Sequence, residues 1–216
     1  MSAETDQGFI LRVHPLTDTS LVVRWLTAGH GRLATVARGA RQPKSAFFGR
    51  LDLFFDAGIS FQRSQRSELH ALREVNVART FPAVRADYGR LTQASYAVAL
   101  VELVTEVDTP VPEIHALFGG FLAHLESAVS QARLIYALEV RLLALGGLDP
   151  VEAGRDLPPE SRDLASALRD EDWTALAGLN PGAAEVRSLN QLLESQFQQN
   201  WGRLPRGRDL ALAVKG

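Results

Sequence analysis

The period of the hydrophobic pattern changes near residue 80, and this change constrains the possible folds more than any other feature. Before it, apolar and polar residues alternate over short segments, a pattern typical of half-buried antiparallel strands. These segments lie at 9–14, 21–26, 33–37 and 51–55. After it, apolar residues recur every three or four positions, which indicates helices. The sequence therefore predicts an α+β protein that is β-rich in front and helical behind.

The front part has the strand count of a small barrel. The row that starts at residue 51 continues to residue 63 as a long strand that is bent or broken at Ala57-Gly58, and residues 69–77 supply a fifth strand. Residues 28–31 predict a hairpin connection, because their two glycines allow positive φ. Five strands with one long connection at 39–50 fit a Greek-key barrel such as an OB-fold. An SH3-like barrel fits the strand count nearly as well.

The rear part predicts a helical domain. The expected helices lie at 83–109, 113–128 and 131–145, with further starts after Pro158-Pro159 and Asn180-Pro181, the last leading into 183–201. The third helix is apolar nearly all round, which is typical of the buried centre of a bundle. Gly119-Gly120 indicates close packing against a neighbouring helix. We expect a barrel domain over 1–80 and a helical domain over 81–216 that ends in a basic tail with Arg203, Arg206, Arg208 and Lys215.

Charge is distributed unevenly along the chain. Residues 1–80 carry eleven Lys and Arg against seven Asp and Glu, whereas residues 81–216 carry twelve against eighteen. The window between Asp18 and Asp52 holds no acidic residue, and its basic residues are Arg24, Arg32, Arg38, Arg41, Lys44 and Arg50. A positive segment of this length attracts polyanions, although ordinary solvated strand faces would give the same pattern.

Catalytic and cofactor signals are weak. The chain has no cysteine, which excludes disulfides, thiolate zinc sites and cysteine nucleophiles. Its five histidines lack metal-site spacing, and no nucleophile elbow or phosphate-binding glycine loop is present. We therefore expect no enzyme, no metal and no cofactor. The opening MSAETDQGF carries no signal-peptide pattern, and no apolar run approaches the ~18 residues of a membrane helix, so a cytoplasmic protein is expected.

Aromatic residues are interleaved with the basic ones, as in barrels that bind single strands by stacking bases. Trp25 shares a strand face with Leu21 and Val23, which favours a place in the core. Phe47 and Phe48 lie in the long connection between Lys44 and Arg50. Adjacent residues of a strand point to opposite sides, so one of these two is expected to be exposed. Phe47 and Phe48 are the candidates for base stacking.

Residues 17–55, TDTSLVVRWLTAGHGRLATVARGARQPKSAFFGRLDLFF, resemble the N-terminal domain of the bacterial recombination mediator family RecO. The matching elements are a His30-Gly31 hairpin, the strand end Arg38-Gly39-Ala40-Arg41, and a basic loop with Lys44-Ser45. The segment LEVRLLALGGLDP at 138–150 and the closing WGRLPRGRDLA at 201–211 are also similar to that family.

The resemblance implies an OB-fold followed by a helical domain, and it implies a function. RecO-like proteins bind single- and double-stranded DNA, anneal complementary strands, engage the acidic C-terminal tail of single-stranded-DNA-binding protein and, with RecR, help to load RecA. The resemblance implies that the six basic residues of the Asp18–Asp52 window hold DNA phosphates. It also implies that the protein associates with the nucleoid. Arg133 and Arg141 are the candidates for meeting the tail's carboxylates, unless either pairs with a carboxylate such as Glu139. The alternative is an adaptor whose barrel binds an acidic protein or RNA.

The sequence departs from the family in one respect. Many members carry four cysteines that hold a structural zinc in the helical domain, and this chain has none. We therefore expect packing alone to stabilise residues 150–182.

Overall fold

Five strands form the front of the chain in the computed structural model, which describes residues 3–214. They are β1 (Glu4–Pro15), β2 (Leu21–Thr27), β3 (Gly31–Ala37), β4 (Asp56–Gln62) and β5 (Leu69–Arg79). The predicted hairpin at 28–31 is confirmed, since β2 ends at Thr27 and β3 begins at Gly31. Gly31 has a φ of 66° and lies so close to Thr109 that a Cβ would stand 1.8 Å from its carbonyl oxygen.

The strands close into a barrel in the order β1-β2-β3-β5-β4. All neighbouring pairs are antiparallel except β3 and β5, which pair in parallel over Ala34–Leu69 to Val36–Ala71. This closed five-stranded Greek-key order is that of the OB-fold. It decides between the two barrels that the strand count left open.

The inward residues of the alternating strands fill the barrel. Ile10, Val23, Trp25 and Phe61 are among its buried residues, and Trp25 is fully buried. The indole Nε1 of Trp25 donates to the Thr35 hydroxyl at 2.9 Å, which satisfies its one polar group. The predicted core position of Trp25 is therefore confirmed.

The long strand predicted over 51–63 is wrong in its first part. β4 begins only at Asp56, and Phe54 has a φ of 67° in the left-handed region. Phe54 and Phe55 are both buried, although neither lies in a strand. Instead, the Phe54 N–H donates to the Ile10 carbonyl and the Ile10 N–H to the Phe55 carbonyl, each at 2.9 Å.

The single helix predicted over 83–109 is also wrong, because the structure has α1 (Pro82–Ala86) and α2 (Tyr88–Val104) in its place. Asp87 separates them, and its carboxylate accepts from the Arg90 N–H at 2.8 Å, as an N-cap residue does. Beyond α2, the Thr105 carbonyl accepts from Arg32, and Val107 forms a parallel β-bridge with that same residue. These extended contacts end the helix before Pro110.

The remaining helices are α3 (Pro112–Ser127), α4 (Ala132–Leu145), α5 (Pro150–Ala153), α6 (Pro159–Asp170), α7 (Ala183–Trp201) and α8 (Arg208–Leu212). Helices α3, α4, α6 and α7 agree closely with the expected ones, whereas the short helices α5 and α8 were not predicted. Helix α4 is buried on most of its surface, as predicted. The glycine pair of α3 packs closely, but not against a helix. A Cβ on Gly119 would stand 2.8 Å from the Phe9 ring, and one on Gly120 3.1 Å from the Trp173 indole.

The chain divides into two compact units. The barrel unit comprises Met1–Pro82 and Thr105–Gly119, and the helical unit comprises Ala83–Val104 and Gly120–Gly216. Residues 105–119 thus group with the barrel, while the domain boundary at residue 80 stays a prediction. Within residues 3–214, no helix is long and apolar enough to cross a membrane.

Candidate nucleic-acid interface

The connection between β3 and β4 is a chain of tight turns. Successive backbone hydrogen bonds span three residues each, ending with Ser45 to Gln42, Phe48 to Ser45 and Arg50 to Phe47. Gly39 and Gly49 take φ values of 67° and 71° within it, a conformation that glycine adopts without a Cβ clash. The turns leave the side chains of Arg38, Arg41, Lys44 and Arg50 exposed.

A groove of the barrel unit lies beside these turns. It has a volume of about 680 Å³ and a floor of Val36, Leu69 and Ala71 from β3 and β5. Its cationic side chains are Arg38, Arg63, Arg66 and Arg73. No acidic residue lines this groove within the part of the chain that the structure describes. We call it the arginine groove.

The structure brings some of the predicted cations together and keeps others apart. Arg38 lies in the arginine groove, whereas Arg50 lines a second groove of about 610 Å³ and donates to the Val75 carbonyl at 3.3 Å. Arg41 donates to the Thr17 carbonyl at 3.2 Å in the turn between β1 and β2. Arg32 is half-buried, and its guanidinium donates to the Thr105 carbonyl at 2.6 Å. Lys44 is exposed.

Arg24 lies on a different part of the barrel surface. It is exposed on β2 between buried Val23 and Trp25, and its neighbour across the strands is Arg12 of β1. This cross-strand pair places two cations on the outer face of the sheet.

The two candidate aromatics have different surroundings. Phe47 is partly buried against the hydrophobic core of the barrel and lines both grooves. Phe48 is 63% exposed. One of the pair is therefore exposed, as expected, and base stacking by either stays a prediction.

Sequence reasoning missed Arg63, Arg66 and Arg73. Arg63 and Arg66 lie in the turn between β4 and β5 and Arg73 lies in β5, all three outside the basic window that the charge pattern defined. A signal was present, because residues 57–67 contain two arginines and no acidic residue. What the sequence lacked was the parallel pairing of β3 with β5, which places this turn beside Arg38.

Arg63 is the most engaged cation of the arginine groove. Its guanidinium bonds Glu4 at 3.3 Å and Asp108 at 2.7 Å, and the hydrogen bond to Asp108 raises the pKa of Arg63. Arg73 donates to the Gln62 side chain. The four groove arginines therefore differ in how firmly the protein already holds them.

His30 of the hairpin lies between two carboxylates. Its Nδ1 is 2.7 Å from Asp6 and its Nε2 is 3.1 Å from Glu4. Burial by itself raises the pKa of Asp6, but hydrogen bonds with His30 and with the Gln7 N–H outweigh it, and that pKa lies below its usual value. The His30-Gly31 hairpin is thus held to β1 by the contacts of His30 with Glu4 and Asp6.

The candidate residues of the helical unit are bound to main-chain carbonyls. Arg133 donates to the carbonyls of Leu176 and Ala177, each at 2.9 Å, and to that of Leu179. It also lines a groove of about 540 Å³ with Tyr136 and Val186. Neither this arginine nor Arg141 pairs with Glu139 in the structure.

Arg141 lies two helical turns further along α4. Its Nε donates to the Leu168 carbonyl at 2.9 Å, and a second nitrogen donates to that of Glu171. The guanidinium stacks 4.1 Å above the Trp173 ring, and burial lowers the pKa of Arg141. Its role in binding a partner's tail stays a prediction.

Glu139 is bound by a residue of the basic tail instead. Arg208 makes two hydrogen bonds to its carboxylate at 2.6 and 2.7 Å, and Tyr96 donates to the same carboxylate at 2.6 Å. Burial by itself lowers the pKa of Arg208, but bonding to Glu139 raises it above its ordinary value. Arg208 is therefore an internal residue, while Arg203 and Arg206 are exposed. Lys215 lies outside the described residues.

The residues present do not fit the structural zinc of the family. Residues 150–182 contain neither cysteine nor histidine, and between residues 3 and 214 no three potential ligands are grouped to hold a metal ion. The expectation that packing alone stabilises this segment was incomplete, since Arg133 and Arg141 bind its carbonyls.

Comparisons with known proteins agree with an OB-fold barrel joined to a helical region. The family models described as Recombination protein O N terminal and Recombination protein O C terminal match residues 1–81 and 85–153. The chain belongs to the RecO family.

Several curated relatives carry the name DNA repair protein RecO. That of Syntrophus aciditrophicus is 33% identical over 144 residues, 67% of this chain and 56% of the relative. That of Anaeromyxobacter dehalogenans (strain 2CP-C) is 32% identical, and the match covers 66% of this chain and 56% of the relative. That of Gloeobacter violaceus is 34% identical, and the match covers 66% of this chain and 55% of the relative. The chain thus spans little more than half the length of these proteins.

Proposed function

We propose that the chain is a recombination mediator in DNA repair, which binds single- and double-stranded DNA through its barrel. The observation that carries this proposal is the arginine groove, where Arg38, Arg63, Arg66 and Arg73 line a cavity to which residues 3–214 contribute no acidic side chain. Phosphates bound by arginine and lysine supply affinity without sequence preference. The exposed Arg41, Lys44 and Arg50 add positive charge in the turns after β3, while exposed Arg24 and half-buried Arg32 add cations elsewhere on the barrel.

Membership of the RecO family is the basis for proposing two further activities of the mediator. We propose that it anneals complementary strands and, with RecR, helps to load RecA onto DNA that carries single-stranded-DNA-binding protein. It acts without catalysis and without a cofactor, in the cytoplasm where the nucleoid lies. Phe48 is the better placed of the two aromatics to stack on a base, since Phe47 is committed to the core.

The acidic tail of single-stranded-DNA-binding protein is proposed to dock in the groove beside Arg133. This groove combines one cation with Tyr136, Leu179, Pro181 and Val186, which suits a peptide with an apolar end and carboxylates. Val186→Glu tests this docking, because it adds a carboxylate to the groove and leaves the bonds of Arg133 in place. We expect loss of binding to an acidic peptide with an apolar C-terminal end and unchanged DNA binding. Undiminished peptide binding would place the tail elsewhere.

Fluorescence anisotropy of labelled oligo-dT across a salt series tests the DNA-binding proposal. For a single strand, log affinity should fall with log salt by about 0.7 per phosphate bound. Reversal of Arg38, Arg41 and Lys44 to Glu should abolish binding while helical circular dichroism survives. Reversal of Arg155, Arg187 and Arg203, which are exposed on the helical unit, is the control with the same charge change.

The outcomes separate the mediator from the adaptor. Binding of RNA or an acidic protein by the barrel without binding of DNA would favour the adaptor. Unchanged DNA affinity in the triple variant of the 38–50 turns would remove those residues from the interface.

A further inference from the structure

Four strands of the barrel direct two rows of side chains onto one outer surface. The cross-strand register aligns Arg12, Arg24, Ala34 and Leu69 in one row and His14, Val22, Val36 and Ala71 in the next. Each residue alternates with an inward neighbour of the barrel core, such as Val23, Trp25 or Leu72. We call these eight residues the open face.

The open face has a small aliphatic centre and cations at two opposite corners. Val22, Ala34, Val36, Leu69 and Ala71 are half-buried and make up the centre. Arg12 and Arg24 occupy the corner on β1 and β2. At the diagonal corner, Arg38 and Arg73 lie two residues beyond Val36 and Ala71. They line the arginine groove, whose floor of Val36, Leu69 and Ala71 is part of this centre.

The side chains at the centre of this face carry no group that reads a base, and the nearest uncharged polar side chains, Gln62, Ser64 and Gln65, belong to the lining of the arginine groove. Valine, alanine and leucine side chains have no hydrogen-bond donor or acceptor for a base edge, and the backbone groups beneath them are used in the β-ladder. Among these eight residues there is no Phe, Tyr or Trp, the side chains on which bases stack in other single-strand-binding barrels. Phe47 lines the edge of the arginine groove and packs against the core.

The positions of the cations favour the backbone of a strand instead. A strand that crosses the face diagonally meets arginine at both corners, where phosphates bind, and aliphatic side chains between them, which contact the apolar carbons of sugars. We propose that the open face holds a single DNA strand by its phosphates and sugars and leaves the base-pairing edges toward solvent. This inference rests on the proposed DNA binding, and it explains how a bound strand stays able to pair with its complement.

Two probes of a bound oligo-dT test this orientation in the full chain. Permanganate oxidises thymines that are exposed, so bound thymines should react within about twofold of free ones. Oligo-dT in which a central run of phosphates is replaced by neutral methylphosphonates should bind at least tenfold more weakly, with a flatter salt dependence. Strong protection of the central thymines, or binding that the neutral backbone leaves unchanged, would overturn the inference while DNA binding itself stands. Failure to bind unmodified oligo-dT would overturn the proposed function as well.

Ala71→Tyr adds to the aliphatic centre the stacking surface that it lacks. Tyrosine suits an outward strand position, and the fold is checked by circular dichroism. We expect severalfold tighter binding of oligo-dT, protection of a thymine from permanganate and slower pairing with oligo-dA. Ser95→Tyr, at an exposed position of α2, is the control and should change none of the three. An Ala71→Tyr variant with unaltered affinity and thymine reactivity would show that no strand crosses the open face.

Discussion

In the barrel unit, the side chains of Arg24, Arg38 and Arg66 are exposed, whereas Arg133, Arg141 and Arg208 of the helical unit bind backbone carbonyls or a buried carboxylate. The first group creates a positive field in water, where a polyanion can approach it. The second group supplies hydrogen bonds to acceptors that the fold would otherwise leave unpaired. An arginine's role therefore depends on the acceptors around it, and the number of charged residues in a segment does not reveal it.

The largest expected effect concerns Arg208, which is buried in the helical unit. Arg208→Ala leaves Glu139 charged and uncompensated in the core, which costs about 3–5 kcal/mol of unfolding free energy. Arg24→Ala, at an exposed position, should stay within about 0.5 kcal/mol of the parent. Urea denaturation followed by circular dichroism at 222 nm measures both.

A double variant sharpens this result. Arg208→Met combined with Glu139→Leu removes both charges and keeps apolar volume, so it should recover much of the lost stability. If Arg208→Ala loses less than 1 kcal/mol, the ion pair is not the element that fixes α8 onto α4.

The second effect concerns the arginines that bind carbonyls. Arg141→Lys keeps the charge but loses the planar group that stacks on Trp173 and reaches two carbonyls, and we expect a loss of about 1–2 kcal/mol. The tryptophan emission maximum of the protein should shift to longer wavelength as water reaches the Trp173 ring. Arg187→Lys, exposed on α7, provides the matched control. An unchanged unfolding midpoint and emission maximum would mean that packing alone holds residues 168–179.

The third effect concerns the arginines of the barrel unit that line the arginine groove. Arg66→Ala and Arg73→Ala should each weaken oligo-dT binding and reduce the salt slope by about 0.7, with unfolding free energy nearly unchanged. Arg63→Ala should lower both affinity and stability, because Arg63 also bonds Glu4 and Asp108. Arg187→Ala should alter neither. Equal salt slopes in the parent and the Arg66 and Arg73 variants would remove these residues from the phosphate-binding surface.

Much of the fold could be predicted because the hydrophobic period reports which face of each element is buried. The alternation around Trp25 and the apolar helix α4 were both interpreted correctly on that basis. The period fails where the backbone departs from a strand, as at Phe54 and Phe55, where a left-handed residue precedes β4 and both side chains are buried. It also fails at Thr105, where contacts with Arg32, distant in sequence, end the helix.

The site could be predicted only in part, for a related reason. The basic window was visible as a local run of charge, and it contains Arg38 of the groove. Arg63, Arg66 and Arg73 join that residue only through the parallel pairing of β3 with β5, a contact between segments more than 30 residues apart. Likewise, the partner of Glu139 lies 69 residues away in sequence, so no local pattern could have singled out Arg208 from the other cations of the tail.

The smallest expected effect is the pH dependence of the unfolding free energy, which arises from partly or fully buried histidines in both units. Burial lowers the pKa of His70 and His115 in the barrel unit and of His124 in the helical unit. For His70, the charge of Arg63 lowers the pKa further, while Asp108 and Glu4 oppose the shift. A histidine with a lowered pKa in the folded state takes up its proton more readily when unfolded. Unfolding free energy therefore falls as the pH drops below about 6.5, by at most about 1.4 kcal/mol per pH unit for each such histidine.

His70→Gln should flatten this dependence in the barrel, since glutamine cannot be protonated there. The change is measured by denaturation at pH 7 and pH 5.5 in a background with Trp173→Phe and Trp201→Phe, so that the emission comes from Trp25 of the barrel core. His14→Gln, at an exposed strand position, is the control and should leave the slope as it is. A His70→Gln variant that loses stability between the two pH values as steeply as the parent would show that His70 already accepts a proton in the folded barrel. Its neighbours Asp108 and Glu4 would then outweigh burial and the charge of Arg63.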